Sequence, residues 1–281
     1  MLNIEQTIAQ FPDGQITVIP KGLEFLERPK AGFYQVIDKD MGSHSEKQIH
    51  PDTNIRVPLN AKIISDSYIP KAQILKYFSN KSVGVHKALN ISHKLGVLLH
   101  GVQGTGKTTA CNDFAQELID TKDAVVVSVN GVGDFAFAIE ILKKMKTIQD
   151  FFSVIIFDEC EDTMQSYEGA MKRFLDSGDS LGNNLFLFCT NYVHKIPDTI
   201  KDRPSRIKIS KEITTFEDEV LIGQILESLI DGVPEDLRPD KEFLLAIAPS
   251  MKNKTLDELK NAFLDAILEF NLEEVVLDVN I

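Results

Sequence analysis

Residues 101–108 are Gly-Val-Gln-Gly-Thr-Gly-Lys-Thr, a complete Gly-x4-Gly-Lys-Thr phosphate-binding loop. The apolar run 96–99 precedes the loop, and residues 109–115 open a helix behind it. Strand, glycine-rich turn and helix in this order point backbone N–H groups and a helix N-terminus at a polyphosphate. A chance glycine-rich turn is the structural alternative, and the complete match in this context disfavours it. We expect a nucleoside triphosphate site in which Lys107 contacts the β- and γ-phosphates and Thr108 binds magnesium, completed by Gly101, Gly104, Thr105, Gly106 and Thr109.

A second segment offers carboxylates for a metal ion and a water molecule. Residues 152–159 are Phe-Ser-Val-Ile-Ile-Phe-Asp-Glu, a short apolar run that is typical of a buried parallel strand ending in two acids. Ligands of open α/β sheets bind at this carboxyl edge. We expect Asp158 to hold the metal and Glu159 to activate the attacking water as general base. The alternative is an exposed strand end with solvated acids.

A third strand, 185–190, ends at Asn191, whose amide can align a water because it donates and accepts without acting as a base. An ordinary turn after a strand also explains an asparagine there. Farther on, Arg203 and Arg206 precede a short apolar segment, 207–209, which we predict to be a strand. Arginine suits charge stabilisation on a transferring phosphoryl group, since its guanidinium is planar and permanently charged.

The order and spacing of these segments resemble the AAA+ ATPases, and within them the AAA branch. In that resemblance residues 101–108 are the Walker A loop, Asp158 and Glu159 the Walker B acids, Asn191 the sensor-1 amide, and Arg203 and Arg206 paired arginine fingers. It covers roughly residues 75–275. It implies a magnesium-dependent ATP hydrolase that assembles into a ring, usually of six subunits, in which each arginine pair serves the nucleotide of the neighbouring subunit.

Two positions depart from the pattern of that family. The segment after the second strand, 130–137, lacks the aromatic-glycine pair of a protein-threading pore loop. Phe135 and Phe137 could face a channel or lie in the core, and the sequence leaves both possibilities open. The lid segment offers no sensor-2 arginine, only Lys254 or Lys252. We take Lys254 as a candidate phosphate contact, against the alternative of a solvated surface lysine.

Charge is unevenly distributed along the chain. The 281 residues carry a net charge of −12, and residues 211–281 hold 17 acids against 6 bases, a net of −11. Such a segment repels phosphate backbones, so a protein partner is favoured over a nucleic acid. The basic residues between 195 and 211 leave a nucleic-acid groove as the competing interpretation.

Composition narrows the class of protein further. No apolar run reaches the ~20 residues of a membrane span, and residues 1–6 lack the basic start and apolar stretch of a signal peptide. The three cysteines and six histidines show no metal-ligand spacing. We expect a cytoplasmic protein that uses ATP and Mg²⁺ and no other metal.

Three units are predicted along the chain. Residues 1–70 are β-rich, with strand-like runs at 15–19, 32–37 and 54–58, and form a small N-terminal domain that could bind a partner. Residues 71–210 form an α/β nucleotide domain with a parallel sheet and flanking helices, which a helix around 72–78 precedes. Residues 211–281 form a small helical lid, since 219–226 and 256–267 show helical spacing.

The function predicted from these features is an ATP-hydrolysing ring that remodels or moves a macromolecular partner, most readily a protein. Two alternatives remain open. One is a DNA-linked loader or helicase-type ATPase, and the other is a nucleotide-gated scaffold with little turnover.

Overall fold

A mixed sheet dominates the structure, a computed structural model that describes residues 6–10, 16–20, 29–40, 45–58, 60–91, 93–147, 150–177 and 182–278. Within these residues the strands hydrogen-bond in the order β1-β2-β4-β3-β6-β7-β8-β5-β9. Their bounds are β1 Gln6–Gln10, β2 Ile16–Pro20, β3 Gly32–Asp40, β4 Ser45–Pro51, β5 Lys94–Gly101, β6 Val125–Val129, β7 Ser153–Phe157, β8 Asn184–Thr190 and β9 Ile209–Ile213.

The central strands are parallel and buried on both faces. β3 pairs with β6, β6 with β7, β7 with β8, and β8 with β5, all in parallel register. Every residue of β7 and β8 is buried. Such strands are continuous apolar runs because helices cover both faces of a parallel sheet. The predicted α/β fold with a parallel sheet is therefore confirmed.

The described N-terminal strands extend this same sheet. β1 pairs with β2, β2 with β4, and β4 with β3, all antiparallel. β3 then joins the parallel part through Gly32–Gln35, which pair with 125–128. The predicted β-rich character is thus present at 16–20 and 32–40. A division at residue 70 does not separate these strands from the nucleotide-binding strands.

The helices flank or follow these strands. Their bounds are α1 Ala61–Tyr68, α2 Lys71–Tyr77, α3 Asn80–Ala88, α4 Lys107–Lys122, α5 Val132–Lys146, α6 Glu161–Ser166, α7 Glu168–Ser177, α8 Asp198–Lys201, α9 Glu219–Ile230, α10 Lys241–Ile247 and α11 Leu256–Asp278. The helices predicted around 72–78, 219–226 and 256–267 are confirmed as α2, α9 and α11.

Contacts group the chain into two compact units. The first comprises 1–56, 70–100 and 114–211, and the second comprises 57–69, 101–113 and 212–281. The core of the first unit lies between α5 and strands β6, β7 and β8, with Phe135, Phe157 and Phe188 among its fully buried side chains. In the second unit α9 buries Ile222, Ile225 and Leu226, an i, i+3, i+4 stripe.

Two strand predictions need correction. Residues 54–58 form no strand, because the ladder ends at Pro51 and the Asn54 N–H donates to Asp52 Oδ1 at 3.0 Å in a turn. The strand predicted at 207–209 begins at Ile209 instead and runs to Ile213. Residue 15 of the first predicted run lies outside the described residues.

The two phenylalanines of segment 130–137, which the sequence left between a channel and the core, pack against the core. Phe135 is fully buried in the core of the first unit, and Phe137 is partly buried against that core. Both belong to α5, which begins directly after β6 and Gly131. The core interpretation is therefore the one that the structure supports.

No helix in the described part of the chain combines the length and the apolar character that a membrane crossing needs.

A close backbone contact fixes the segment that contains both arginines. A Cβ built on Gly96 would lie 2.0 Å from the carbonyl oxygen of Arg206, and the Lys208 N–H donates to the Gly96 carbonyl at 2.9 Å. A side chain at position 96 thus forces the two segments apart. We predict that Gly96→Ala lowers the free energy of unfolding by about 1–3 kcal/mol, as overpacking does.

The measurement is urea denaturation, with the midpoint compared at an unchanged slope. Gly169→Ala is the matched control, because a Cβ on this glycine of α7 meets nothing within 4 Å. Alanine in a helix should there stabilise the protein by roughly 0.5–1 kcal/mol. Equal midpoints for Gly96→Ala and the wild type would contradict the close contact.

Candidate functional site

The predicted phosphate loop joins β5 to α4 with the backbone conformation that its glycines permit. Gly101, Gly104 and Gly106 have φ of 135°, 74° and 88°, in the region that side chains disfavour. The Thr105 hydroxyl donates to the Val102 carbonyl at 2.9 Å within the loop. Lys107 is the first residue of α4, whose first turn contains no acid. This geometry suits an anion at the start of a 16-residue helix.

The side chain of Lys107 lies along the loop. Its ammonium donates to the carbonyl oxygens of Gly101 at 3.1 Å and Val102 at 2.7 Å, and the residue is 6% exposed. The predicted Thr108 and Thr109 follow it in the first turn of α4 and are half-buried. A cation held against the loop backbone can exchange these carbonyls for phosphate oxygens.

Helix α1, which the sequence analysis left inside a β-rich region, packs on this loop. The Tyr68 hydroxyl donates to the Thr105 carbonyl at 2.9 Å, and Ile64 lies 3.6 Å from the position of a Cβ on Gly106. The signal was available in the sequence, because Ala61, Ile64 and Tyr68 recur at helical spacing. The short irregular segments on both sides obscured it.

The start of α11 also contacts the loop. The Asp257 N–H donates to the Gly104 carbonyl at 3.1 Å, and the Leu256 side chain lies 2.8 Å from the position of a Cβ on Gly106. Thr255 and Glu258 form a capping box, in which the Thr255 N–H donates to Glu258 Oε2 at 2.7 Å. These bonds hold the pKa of Glu258 below its usual value.

The candidate Lys254 lies just before this cap. Its carbonyl accepts from the Phe216 N–H at 3.0 Å, and its side chain is half-buried. The structure thus places Lys254 in the same unit as the phosphate loop, next to the residues that contact Gly104 and Gly106. Lys252, the other lysine considered, pairs with Glu219 instead.

The predicted acids and amide follow two neighbouring strands of the first unit. Asp158 and Glu159 come directly after β7, and Asn191 directly after β8, which pairs with β7 in parallel. Parallel neighbours end at the same edge, so these three residues share the carboxyl edge of the sheet. Glu159 has φ of 46°, rare for a residue with a side chain, and its N–H donates to Asp158 Oδ1 at 3.0 Å. Such strain concentrates at functional sites.

The two predicted arginines differ sharply in environment. The Arg206 side chain is 5% exposed and forms two hydrogen bonds with Asp176, from Nε to Oδ1 at 3.0 Å and from Nη2 to Oδ2 at 2.7 Å. Its Nη1 donates to the Thr199 carbonyl at 2.5 Å. Arg203 is 58% exposed and lies 3.8 Å from the same carboxylate. Hydrogen bonds from Arg206 lower the pKa of Asp176.

Sequence reasoning missed Asp176. It lies near the C-terminus of α7, 30 residues before Arg206, in a segment with no chemical motif of its own. A lone aspartate at that position gave no signal, and only the folded chain brings it to the arginines.

The fold and the loop together define a P-loop nucleotide-binding protein of the α/β class. Residues 97–215 match the model of AAA, the ATPase family associated with various cellular activities. The matched segment contains the phosphate loop, both acids, Asn191 and both arginines. This match, over less than half of the chain, confirms the predicted resemblance to the AAA+ ATPases, whereas the individual roles of these residues stay predictions.

The chain also shows distant sequence similarity to a curated protein. The chain is 24% identical over 197 residues to Replication-associated recombination protein A of Haemophilus influenzae. The match covers 69% of this chain and 41% of that relative. The chain thus spans less than half the length of this relative.

The Asp176–Arg206 pair should matter for stability. Asp176→Asn removes the charge and one acceptor from a guanidinium that is almost fully buried, and we predict a loss of about 1–3 kcal/mol of folding free energy. Because the folded-state pKa of Asp176 is lowered from 3.8, the contribution of the pair is present above that pH and is lost as pH falls through the lowered value.

Urea denaturation at pH 7 and at pH 3 checks this prediction. Asp162→Asn is the control, because Asp162 is 77% exposed and its ion pair with Lys195 should contribute almost nothing. If Asp176→Asn lowers the free energy of unfolding no more than the control does, the pair has no structural role.

Proposed function

We propose that this protein is a magnesium-dependent ATPase that works as a ring of identical subunits and remodels or moves a macromolecular partner. The observation behind the proposal is the loop at 101–108, which adopts left-handed glycine conformations at the start of a long helix inside a segment that matches the AAA family. A protein is the favoured partner, since the net charge of −11 over residues 211–281 repels nucleic acid.

Each residue has a role in this proposal. Lys107 exchanges its loop carbonyls for phosphate oxygens, and the backbone N–H groups of the loop bind the rest of the triphosphate. Glu159 accepts a proton from the attacking water, and Asn191 orients that water. Lys254 adds a point charge near the phosphates. Gly101, Gly104, Thr105, Gly106 and Thr109 shape the loop.

Magnesium fits the donor set on the chain. Within the described residues no three His, Cys, Asp or Glu side chains converge as a metal site. The ion typically keeps several waters and binds through one or two protein oxygens and the substrate phosphates. Thr108 and Asp158 offer such oxygens. When bound, magnesium neutralises charge that develops on the phosphate oxygens.

The arginines act between subunits in this proposal. Arg203 is exposed and able to reach a neighbour, whereas Arg206 must first leave Asp176 and Thr199. Arginine supplied by a second subunit is worth on the order of 10³-fold or more in related phosphoryl-transfer systems. Hydrolysis then depends on assembly.

A DNA-linked ATPase is the second candidate, because the distant relative is by its name a replication-associated recombination protein. Stimulation of ATP hydrolysis by DNA, with binding that weakens steeply as salt rises, would favour it over a protein partner.

The role of Glu159 leads to a direct test. We predict that Glu159→Gln binds ATP like the wild type. Its rate of hydrolysis should be lower by a factor on the order of 10² or more, since glutamine cannot accept the proton. Binding is measured by titration calorimetry and turnover by phosphate release. Glu140→Gln, at a surface residue of α5 that is 63% exposed, should change neither.

Normal turnover in Glu159→Gln would remove the proposed base. A wild-type rate as low as that of Glu159→Gln, with tight ATP binding, would instead favour the nucleotide-gated scaffold.

A mixing experiment tests catalysis between subunits. Lys107→Ala chains lack a working phosphate loop, and Arg203→Ala chains lack the exposed arginine, so each alone should be inactive. In a mixed ring an intact loop can lie beside an intact Arg203, and we predict activity that is highest near equal proportions. Phosphate release is measured across the mixing ratios.

Mixing Lys107→Ala chains with chains that carry both substitutions is the control, because no intact loop is then present. Complete inactivity of the first mixture at every ratio would show that Arg203 does not act in trans.

A further inference from the structure

Helix α3 of the first unit carries positive charge and exposed aliphatic side chains. Residues 67–112 contain six lysines and no aspartate or glutamate, although the whole chain has a net charge of −12. No residue of α3 is buried. Val85 is 50% exposed, and Leu89, four residues later and so on the same side, is 63% exposed. Exposed aliphatic side chains that lie together mark a surface that a partner covers.

A cavity of about 450 Å³ lies beside this helix, between α2, α3 and the start of β9. Its lining includes three aliphatic side chains and three lysines, namely Val85, Leu95, Ile209, Lys76, Lys81 and Lys208. No acid is among the described residues that line it. Leu95 belongs to the first residues of β5, whereas the phosphate loop follows the other end of that strand. The cavity is therefore separate from the predicted nucleotide site.

The three lysines of the cavity form no ion pair with any acid in the described part of the chain. The nearby Lys201, by contrast, pairs with Asp198 at 2.8 Å. The Lys208 ammonium instead lies 4.6 Å from the centre of the Tyr77 ring, which attracts it and keeps it at the cavity. Lys76, Lys81 and Lys208, together with Val85 and Leu89, are called the basic face below.

The basic face suits a protein better than a nucleic acid. Single-stranded nucleic acids stack their bases on aromatic rings. The Tyr77 ring at the cavity already stacks on His93, with ring centres 5.0 Å apart and an interplanar angle of 6°, and Lys208 lies over it. A phosphate backbone also has no apolar group that would bury Val85 and Leu89. A segment with both acidic and aliphatic side chains neutralises the lysines and buries these two residues.

We propose that the basic face binds an acidic segment of a partner protein. An aliphatic side chain of that segment enters the cavity, and carboxylates on both sides of it pair with Lys76, Lys81 and Lys208. Burial of the aliphatic side chain supplies affinity, and the charges supply orientation and a fast association. The inference deepens the proposed function and rests on its protein partner, because it names the surface that holds this partner and the chemistry of the segment bound there.

The test measures binding of a fluorescein-labelled peptide, in which leucines alternate with pairs of glutamates, to the full chain by fluorescence anisotropy. Lys76→Glu combined with Lys81→Glu should weaken binding on the order of 10-fold or more, since two attractions become repulsions. Val85→Ser should also weaken it, because the cavity loses an apolar wall. Lys122→Glu is the matched control, since Lys122 is an exposed lysine at the end of α4 that does not line the cavity.

Four outcomes overturn the inference. The wild type fails to bind the peptide, or the double variant binds it as tightly as Lys122→Glu does. A labelled single-stranded oligonucleotide binds the wild type more tightly than the peptide and loses that binding in the double variant, which assigns the basic face to nucleic acid. The double variant sediments as a smaller assembly than Lys122→Glu, which assigns the basic face to a second copy of this chain.

Failure of the proposed ATPase has a different signature. Without peptide the double variant should hydrolyse ATP at the wild-type rate, because the cavity lies at the opposite end of β5 from the phosphate loop. Suppose instead that the wild type releases phosphate as slowly as Lys107→Ala, while the peptide binds the wild type and not the double variant. Hydrolysis is then absent, and the basic face stands.

Discussion

The shape of the phosphate loop depends on three positions that have no room for a side chain. A Cβ on Gly101 would lie 2.0 Å from the Ile213 carbonyl, one on Gly104 would lie 2.9 Å from the Asp257 carboxylate, and one on Gly106 would meet Leu256. The glycines therefore serve two purposes at once. They permit left-handed backbone for phosphate binding, and they let β9 and the start of α11 approach the loop. Movement of the loop backbone thus bears directly on the first turn of α11.

The parts of the fold that sequence alone predicted share strong local signals. β6, β7 and β8 are short runs of β-branched and aromatic residues, because an interior parallel strand is buried on both faces. The loop at 101–108 needs glycine for its conformation and lysine for charge, so its chemistry is visible in eight residues. Helices α9 and α11 show the spacing of one buried face. Each of these features is decided within a window of a few residues.

The parts that sequence did not predict depend on contacts between distant segments. Nothing in residues 32–35 indicates that β3 pairs with β6, about 90 residues later. The backbone of β3 could form the same hydrogen bonds with any other strand beside it. The sequence also treats Arg203 and Arg206 alike. In the folded chain Arg206 is buried against Asp176, near the end of α7, and the Thr199 carbonyl, whereas Arg203 stays exposed.

Backbone contacts and charge together fix the position of the segment 203–208, which contains both arginines. The Arg206 carbonyl packs on Gly96, where a side chain would collide with it, and the Lys208 N–H bonds to the Gly96 carbonyl. Gly96 belongs to β5, the strand that leads into the phosphate loop. Asp176 holds the side chain of the same Arg206. The exposed Arg203 therefore lies on a backbone that is attached to β5 at Gly96 and to α7 through the Arg206 side chain. These two attachments within its own unit limit how far the Arg203 side chain can extend.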